Sequence, residues 1–304
     1  MAASEDRLDR IEALIETLEA TPRLWLIGGT REAVDLAQAL IAAAIPCVVT
    51  VTTTAAQRAY PQHPNLWVEV GALDLSQLAD FIRTHDIGAI LDASHPFAVA
   101  ISQGAMAQAA TLGLPYWRYE RPLTTSQGEP KAHGGDPGGY ALRRVPHLEA
   151  ALTPEILAGQ RVLLTLGYRW LAAFQPWQER ATLFARILPS SVALEAALAA
   201  GFGPERLIAL RPPIDEPLEQ ALWQQWQITT VITKASGQPG GEETKQAVAA
   251  RLGVALVIID RPTLNYPTMS HDTEEILARC REWWQEQKSP ATFESIRYNG
   301  RKFG

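Results

Sequence analysis

Two short phrases of this chain concentrate the side chains that could do chemistry. One is Ile90-Leu91-Asp92-Ala93-Ser94-His95-Pro96-Phe97-Ala98, the other Arg118-Tyr119-Glu120-Arg121-Pro122. Each reads as a buried strand that ends in polar groups, and a helix from about Phe97 to Leu112 lies between them. In an open parallel sheet the carboxyl ends of the strands form the ligand crevice. Asp92, Ser94, His95, Arg118 and Arg121 would stand at two such ends. Guanidiniums there could hold an anion, and an imidazole could hold one too or relay a proton. Ser94 is also a candidate cap for the following helix.

The pattern returns in the second half. Ile232-Thr233-Lys234-Ala235-Ser236-Gly237 ends a predicted strand, and a helix follows. Leu252-Gly253 then leads through an apolar run to Arg261-Pro262, with the spacing that separates Leu112-Gly113 from Arg121-Pro122. On this reading Lys234 and Ser236 take the places of Asp92 and Ser94. Two related α/β halves would then aim polar strand ends at one cleft. Chance likeness of two strand–helix–strand units is the competing explanation. A lysine at the end of an apolar strand points to a ligand or an acid nearby. Arg169, Arg186 and Arg211 also fall near predicted strand ends, where a polycarboxylate could be gathered or ordinary ion pairs made.

Gly28-Gly29-Thr30-Arg31-Glu32-Ala33 joins the first strand to the first helix. Glycines let the backbone approach a diphosphate, and a helix N-terminus offers free N–H groups. Thr30 stands at the second glycine position of the dinucleotide fingerprint and could add a hydroxyl donor. A tight turn without ligand would carry the same residues. The second strand ends Thr50-Val51-Thr52-Thr53-Thr54, with Arg58 close behind. No acid is present to hold ribose hydroxyls, which favours NADP over NAD, although threonines are also good strand formers.

The elements that must position these groups alternate strand and helix, which implies a parallel sheet. The expected division is an N-terminal helical extension (1–21), a nucleotide-binding domain (22–125), a linker region (126–150), a second α/β domain (151–288) and a tail (289–304). Residues 5–20 carry an amphipathic stripe of Leu8, Ile11, Leu14, Ile15 and Leu18. The 304 residues are 47% hydrophobic, with formal net charge −6 and pI near 5.6. That charge argues against nucleic acid as the main partner. Cys47 and Cys280 make no disulfide framework, which fits a cytoplasmic location. No secretory leader and no membrane-spanning apolar run are expected. The six histidines lack ligand spacing, so no metal is expected.

Taken together, these phrases resemble the precorrin-6A reductase and cobalt-precorrin-6A reductase family of cobalamin biosynthesis. Leu26 to Ala33 is similar to the family's Gly-Gly-Thr-x-Glu-Ala opening. Asp92 to Ala98 resembles its Asp-Ala-Thr/Ser-His-Pro-Phe-Ala phrase, and Arg118 to Pro122 its Arg-x-Glu-Arg-Pro. Thr165-Leu166-Gly167, Arg211-Pro212-Pro213 and Lys234-Ala235-Ser236-Gly237 fall where the family has Thr-x-Gly, Arg-x-Pro and Lys-x-Ser-Gly. Ala235 replaces a common Asn, and Pro212 a common Gly. The resemblance runs from about Leu24 to Pro262.

The resemblance implies two Rossmann-like parallel-sheet domains with the active site in the cleft between them. It also implies an NADPH-dependent oxidoreductase that reduces one double bond of a macrocyclic tetrapyrrole. The cofactor would then meet Gly28, Gly29, Thr30, Glu32, Ala33, Thr52, Thr53, Arg58, Lys234 and Ser236. The substrate would meet Ser94, His95, Pro96, Phe97, Arg118, Arg121 and Gly167. The sequence assigns no proton donor. It leaves open another NADP-dependent reductase on this scaffold, or a nucleotide- or tetrapyrrole-binding protein without turnover. A monomer is expected, though the sequence does not fix the assembly.

Overall fold

Apolar runs such as Leu24-Trp25-Leu26-Ile27 suit strands covered on both faces, and parallel sheets are built from such runs. A computed structural model describes residues 21–122, 141–237 and 240–288. Among these residues the first unit takes in those up to Glu120 and again from Leu264, and the second those from Arg121 to Thr263. The strands are β1 (Arg23–Ile27), β2 (Cys47–Val51), β3 (Leu66–Val70), β4 (Ile87–Asp92), β5 (Tyr116–Tyr119), β6 (Leu142–Val145), β7 (Arg161–Leu164), β8 (Thr182–Ile187), β9 (Leu207–Ala209), β10 (Thr230–Lys234), β11 (Ala255–Ile259) and β12 (Met269–Ser270).

Each unit contains one six-stranded sheet, ordered β12-β5-β4-β1-β2-β3 in the first and β6-β11-β10-β7-β8-β9 in the second. Every ladder in both sheets is parallel. Five strands of each sheet follow the 3-2-1-4-5 order of a dinucleotide-binding fold. The sixth places are exchanged along the chain. The last strand, β12, edges the first sheet, whereas β6, which follows the first five strands, edges the second.

The duplicated phrase has a structural counterpart. The helices Val99–Leu112 and Glu242–Leu252 both end on a left-handed glycine, Gly113 at φ 67°, ψ 27° and Gly253 at φ 66°, ψ 26°. Each cap N–H returns to the carbonyl of Ala109 or Ala249, as helix-ending glycines do. The chain then turns into β5 or β11 with the same geometry.

The first unit buries a layer on each sheet face. One contains Leu24, Leu26, Leu36, Leu40 and Val49, and the other Trp25, Val48, Ile82, Ile90 and Ala105. The helix Thr273–Lys288 adds Ile276, Leu277, Cys280, Trp283 and Trp284 to the first of these. The second domain was expected at 151–288, so these findings correct both ends. Its edge strand β6 lies inside the expected linker, and the final strand and helix pack with the first unit. Packing of the final helix on the first core and pairing of β12 to β5 decide this, and neither leaves a mark in composition. The expected N-terminal helix, the tail and residues 126–140 of the linker lie outside the described residues.

Candidate functional site

The loop after β1 is built by close packing. Gly28 N–H donates to Thr50 O at 3.0 Å. A Cβ on Gly28 would stand 2.5 Å from the Tyr60 hydroxyl and 2.9 Å from Val49 Cγ1, so only glycine fits. Gly29 has φ 95°, and a Cβ there would meet nothing within 4 Å. The outer side of the turn is therefore open, as a diphosphate cradle requires. Thr30 caps the helix Arg31–Ala42, accepting from Ala33 N–H at 3.1 Å. Its hydroxyl proton goes to Ala93 O at 2.8 Å. The expected extra donor is thus spent on tying the glycine loop to the end of β4. Glu32 and Ala33 lie in the first turn of that helix, whose leading N–H groups lack intrahelical partners by position.

Beside this loop, in register with Ile27, the buried Thr50 of β2 accepts from Trp25 Nε1 at 2.9 Å. Thr52 and Arg58 are exposed beyond it. Thr53 caps a short helical turn by accepting from Ala56 N–H. No acidic residue stands between Thr50 and Arg58.

The polar end of β4 is an internal network. Asp92 is 0% exposed. It accepts from Ser94 N–H at 2.9 Å, Ser102 Oγ at 2.6 Å, Tyr116 Oη at 2.6 Å and Arg118 Nη1 at 2.8 Å. Arg118, 1% exposed, also donates through Nε and Nη2 to Glu120 Oε2 at 3.0 and 2.8 Å, and through Nη1 to Ser94 Oγ at 3.1 Å. Tyr266 lies under its guanidinium at 5.3 Å and stacks on Tyr116. Burial opposes the Arg118 charge, but Asp92 and Glu120 overcome it and hold the group above its usual range. Burial, and then the Asp92 carboxylate, push Tyr116 up.

Arg118 therefore positions the β4 turn rather than presenting its charge to a ligand. Ser94 is drawn into the same network, and the helix begins at Val99 with no side-chain cap, contrary to the expected start at Phe97. His95 Nδ1 accepts from Phe97 N–H at 3.2 Å. The neutral ring thus carries its proton on Nε2. Its centroid is 5.8 Å from that of Phe97, and Pro96 makes the turn between them.

In the second unit the loop after β10 is laced from inside. Arg121 Nη1 donates to Ser236 O at 3.0 Å, and Arg261 Nε to Ala235 O at 2.8 Å. The arginines of the duplicated Arg-Pro phrases thus hold adjacent carbonyls of one loop. Arg261 Nη1 also donates to Arg121 O at 2.6 Å. Glu242, 1% exposed, accepts Gly237 N–H at 3.2 Å, and Lys245 Nζ donates to Gly240 O at 2.6 Å. Ser236 Oγ donates to Lys234 O at 3.3 Å.

Lys234 does not take the register of Asp92. Asp92 pairs with Arg118, the counterpart of Arg118 counted from the Leu-Gly cap is Ile258, and Ile258 pairs with Thr233. Lys234 is one residue further and leaves the sheet on the other face. Its ammonium lies 3.8 Å over the Trp170 ring. Burial, then the Arg169 charge, lower its pKa to about 8. Gly167 opens the Tyr168–Trp177 turn that carries Arg169 and Trp170.

Tyr60, Ser102, Tyr116, Tyr266, Glu242, Lys245 and Arg261 were not anticipated as site residues. Glu242 and Lys245 share the buried face of their helix with Val248 and Ala249, and charges on an apolar stripe were a signal available in the sequence. Tyr60 stands 31 residues from its Gly29 partner, beyond the reach of any motif. Among the described residues no three His, Cys, Asp or Glu side chains gather as a metal site would need. Among them, too, no helix is long and apolar enough to cross a membrane.

Residues 23–281 match the family model described as precorrin-6x reductase CbiJ/CobK. Cobalt-precorrin-6A reductase of Synechocystis sp. is 46% identical over 266 residues, covering 86% of this chain and 97% of that protein. Precorrin-6A reductase of Rhodococcus erythropolis is 32% identical over 252 residues, covering 82% and 93%. A solved structure titled CobK precorrin-6A reductase superposes with TM-score 0.65 at 25% identity, covering 88% of this chain and 97% of that one. Family model, relatives and fold agree, and the chain belongs to the CbiJ/CobK precorrin-6x reductase family of oxidoreductases.

Proposed function

We propose that this protein reduces one double bond of precorrin-6A or cobalt-precorrin-6A, with NADPH as reductant. Family membership supports the reaction class and a reduced nicotinamide as hydride source. The observation that carries the NADPH assignment is the pair of adjacent strand ends in the first unit. Gly28 to Ala33 form an open glycine turn at a helix N-terminus, and Thr52, Thr53 and Arg58 follow β2 with no competing acid. A carboxylate at that second position would hold ribose hydroxyls and repel a 2′-phosphate, whereas an arginine accommodates it.

Bound NADPH supplies the hydride. The chain's own residues bind and orient. Thr30 joins the glycine loop to the β4 turn, so His95, Pro96 and Phe97 keep a fixed distance from it. Asp92 and Arg118 hold that turn from beneath. His95 and Phe97 of the first unit, and Gly167 of the second, are proposed substrate contacts; Lys234, expected on the cofactor side, is proposed as a further one because its ammonium, set over Trp170, could receive a carboxylate. Arg118, Arg121 and Ser94 act as positioning residues for the turns that carry those contacts, and Ser236 remains a proposed cofactor contact. Fixed geometry of this kind supplies much of the rate in hydride transfer.

The test is anaerobic NADPH oxidation with precorrin-6A and its cobalt form supplied in parallel and NADH as control. Turnover with NADPH on either macrocycle is expected. Tight NADPH binding without turnover on either would overturn the reading in favour of another reductase substrate or a binding role. We infer a cytoplasmic location from the cysteine usage; a monomer is the proposed assembly, and sedimentation of the purified protein checks it.

A further inference from the structure

The Tyr60 hydroxyl sits on the glycine turn without a sequence motif to announce it. Tyr60 is 7% exposed. Its oxygen accepts Gly29 N–H at 3.2 Å, and it fills the space that a Cβ on Gly28 would occupy, at 2.5 Å. Among the described residues the hydroxyl has no acceptor for its own proton. A donor with no protein acceptor on so buried a side chain calls for a partner. Here it stands at a turn whose outer side is open and whose helix N-terminus favours negative charge.

We propose that Tyr60 is a phosphate ligand, its hydroxyl relaying Gly29 N–H outward and donating to an oxygen of the cofactor diphosphate. The inference rests on the dinucleotide reading of the first unit. Burial, eased by the Gly29 hydrogen bond, moves Tyr60 up to about 12, so the phenol remains a donor throughout the neutral range. Accepting from an amide polarises the O–H and strengthens its donation. Three groups then divide the work. Gly28 gives the space, Gly29 the turn, and Tyr60 a donor from the segment between β2 and β3. Thr30, spent on Ala93 O, is the residue that Tyr60 replaces in this task.

The diphosphate is common to NADPH, NADH and ADP-ribose, whereas the 2′-phosphate is not. That separates this role from the one assigned to Arg58. Titration calorimetry of the full chain is run with NADPH, NADH and ADP-ribose on wild type and Tyr60→Phe. All three ligands weaken by a similar factor, about tenfold, as loss of one charge-assisted hydrogen bond predicts, and the NADPH-to-NADH ratio stays unchanged. Unchanged or tighter binding in Tyr60→Phe overturns the proposal while leaving the cofactor reading intact. A changed NADPH-to-NADH ratio overturns it as well, because Tyr60 would then read the 2′-phosphate. Wild type that binds none of the three overturns both readings. In parallel, the hydroxyl-bearing ring carbon of Tyr60, labelled with carbon-13, shifts when ADP-ribose is added to wild type. A stationary signal refutes the contact even if the variant were to misfold.

Discussion

Replacing Asp92 tests whether the strongest-looking charges of the sequence are structural. Asp92→Asn keeps the shape and removes the charge. In the native protein four donors converge on this carboxylate, two of them at 2.6 Å. Removing one partner of a buried ion pair costs about 3–5 kcal/mol. Glu120 remains on Arg118, and the Asn oxygen still accepts two bonds, so the expected loss is about 3 kcal/mol, toward the lower limit of that range. Asp92→Ala also strands the Tyr116 hydroxyl and the Ser94 N–H, at about 1–3 kcal/mol each. Native proteins hold about 5–15 kcal/mol in total, so the alanine variant endangers the first unit, and the asparagine variant is the one to measure.

Urea unfolding should show a lower midpoint at constant slope. The melting temperature should fall by about 6–12 °C, taking about 2–4 °C per kcal/mol for a unit of this size. Arg118→Met completes a double-mutant cycle. The double variant should lose about 2 kcal/mol less than the sum of the single ones, since contacting residues couple by about 0.5–3 kcal/mol. A melting temperature within about 2 °C of wild type, set against the same slope, or strict additivity, refutes the network. Arg118 would then be available to a ligand after all.

Gly28→Ala forces a methyl against the Tyr60 hydroxyl and Val49; it should weaken dinucleotide binding at least tenfold in calorimetry while the circular dichroism spectrum is retained. Arg58→Ala should raise the KM for NADPH and leave that for NADH within twofold, which steady-state kinetics with both reductants reads directly. Lys234 carries its charge below about pH 8, and substrate carboxylates are ionised from about pH 5 upward. Substrate KM should therefore climb as pH rises through about 8, and Lys234→Met should be weak at every pH and lack that limb. A pH profile that is the same in both proteins removes Lys234 from the substrate.

The alternation of strand and helix made the five-strand cores of both sheets legible, because a buried parallel strand advertises itself by an unbroken apolar run. The sixth strands carried no such mark. Met269–Ser270 has two residues, too few for a period, and Leu142–Val145 has Arg143 and Arg144 at its centre. At the site, residue types were readable and orientation was not. Asp92 and Arg118 stood out as charges, but whether they face a ligand or each other depends on the register between β4 and β5. The same limit shifted Lys234, where one residue of register changes the face. Tyr60 and Tyr266 reach their partners across long separations, and no local pattern encodes that.

The exchange of edge strands sets an order of completion during synthesis. Domains usually finish in the order in which they leave the ribosome. Here the second unit is contiguous from Arg121 to Thr263 and has every strand it needs before the chain ends. The first unit, begun earlier, waits for Met269–Ser270 to pair with β5 and for Ile276, Leu277, Trp283 and Trp284 to cover its core. Until then one edge of its sheet and one apolar face stay open, the state in which nascent chains recruit chaperones or pair wrongly. A chain cut before residue 264 would thus leave the cofactor turn on an unfinished sheet, although every residue of that turn had already been made.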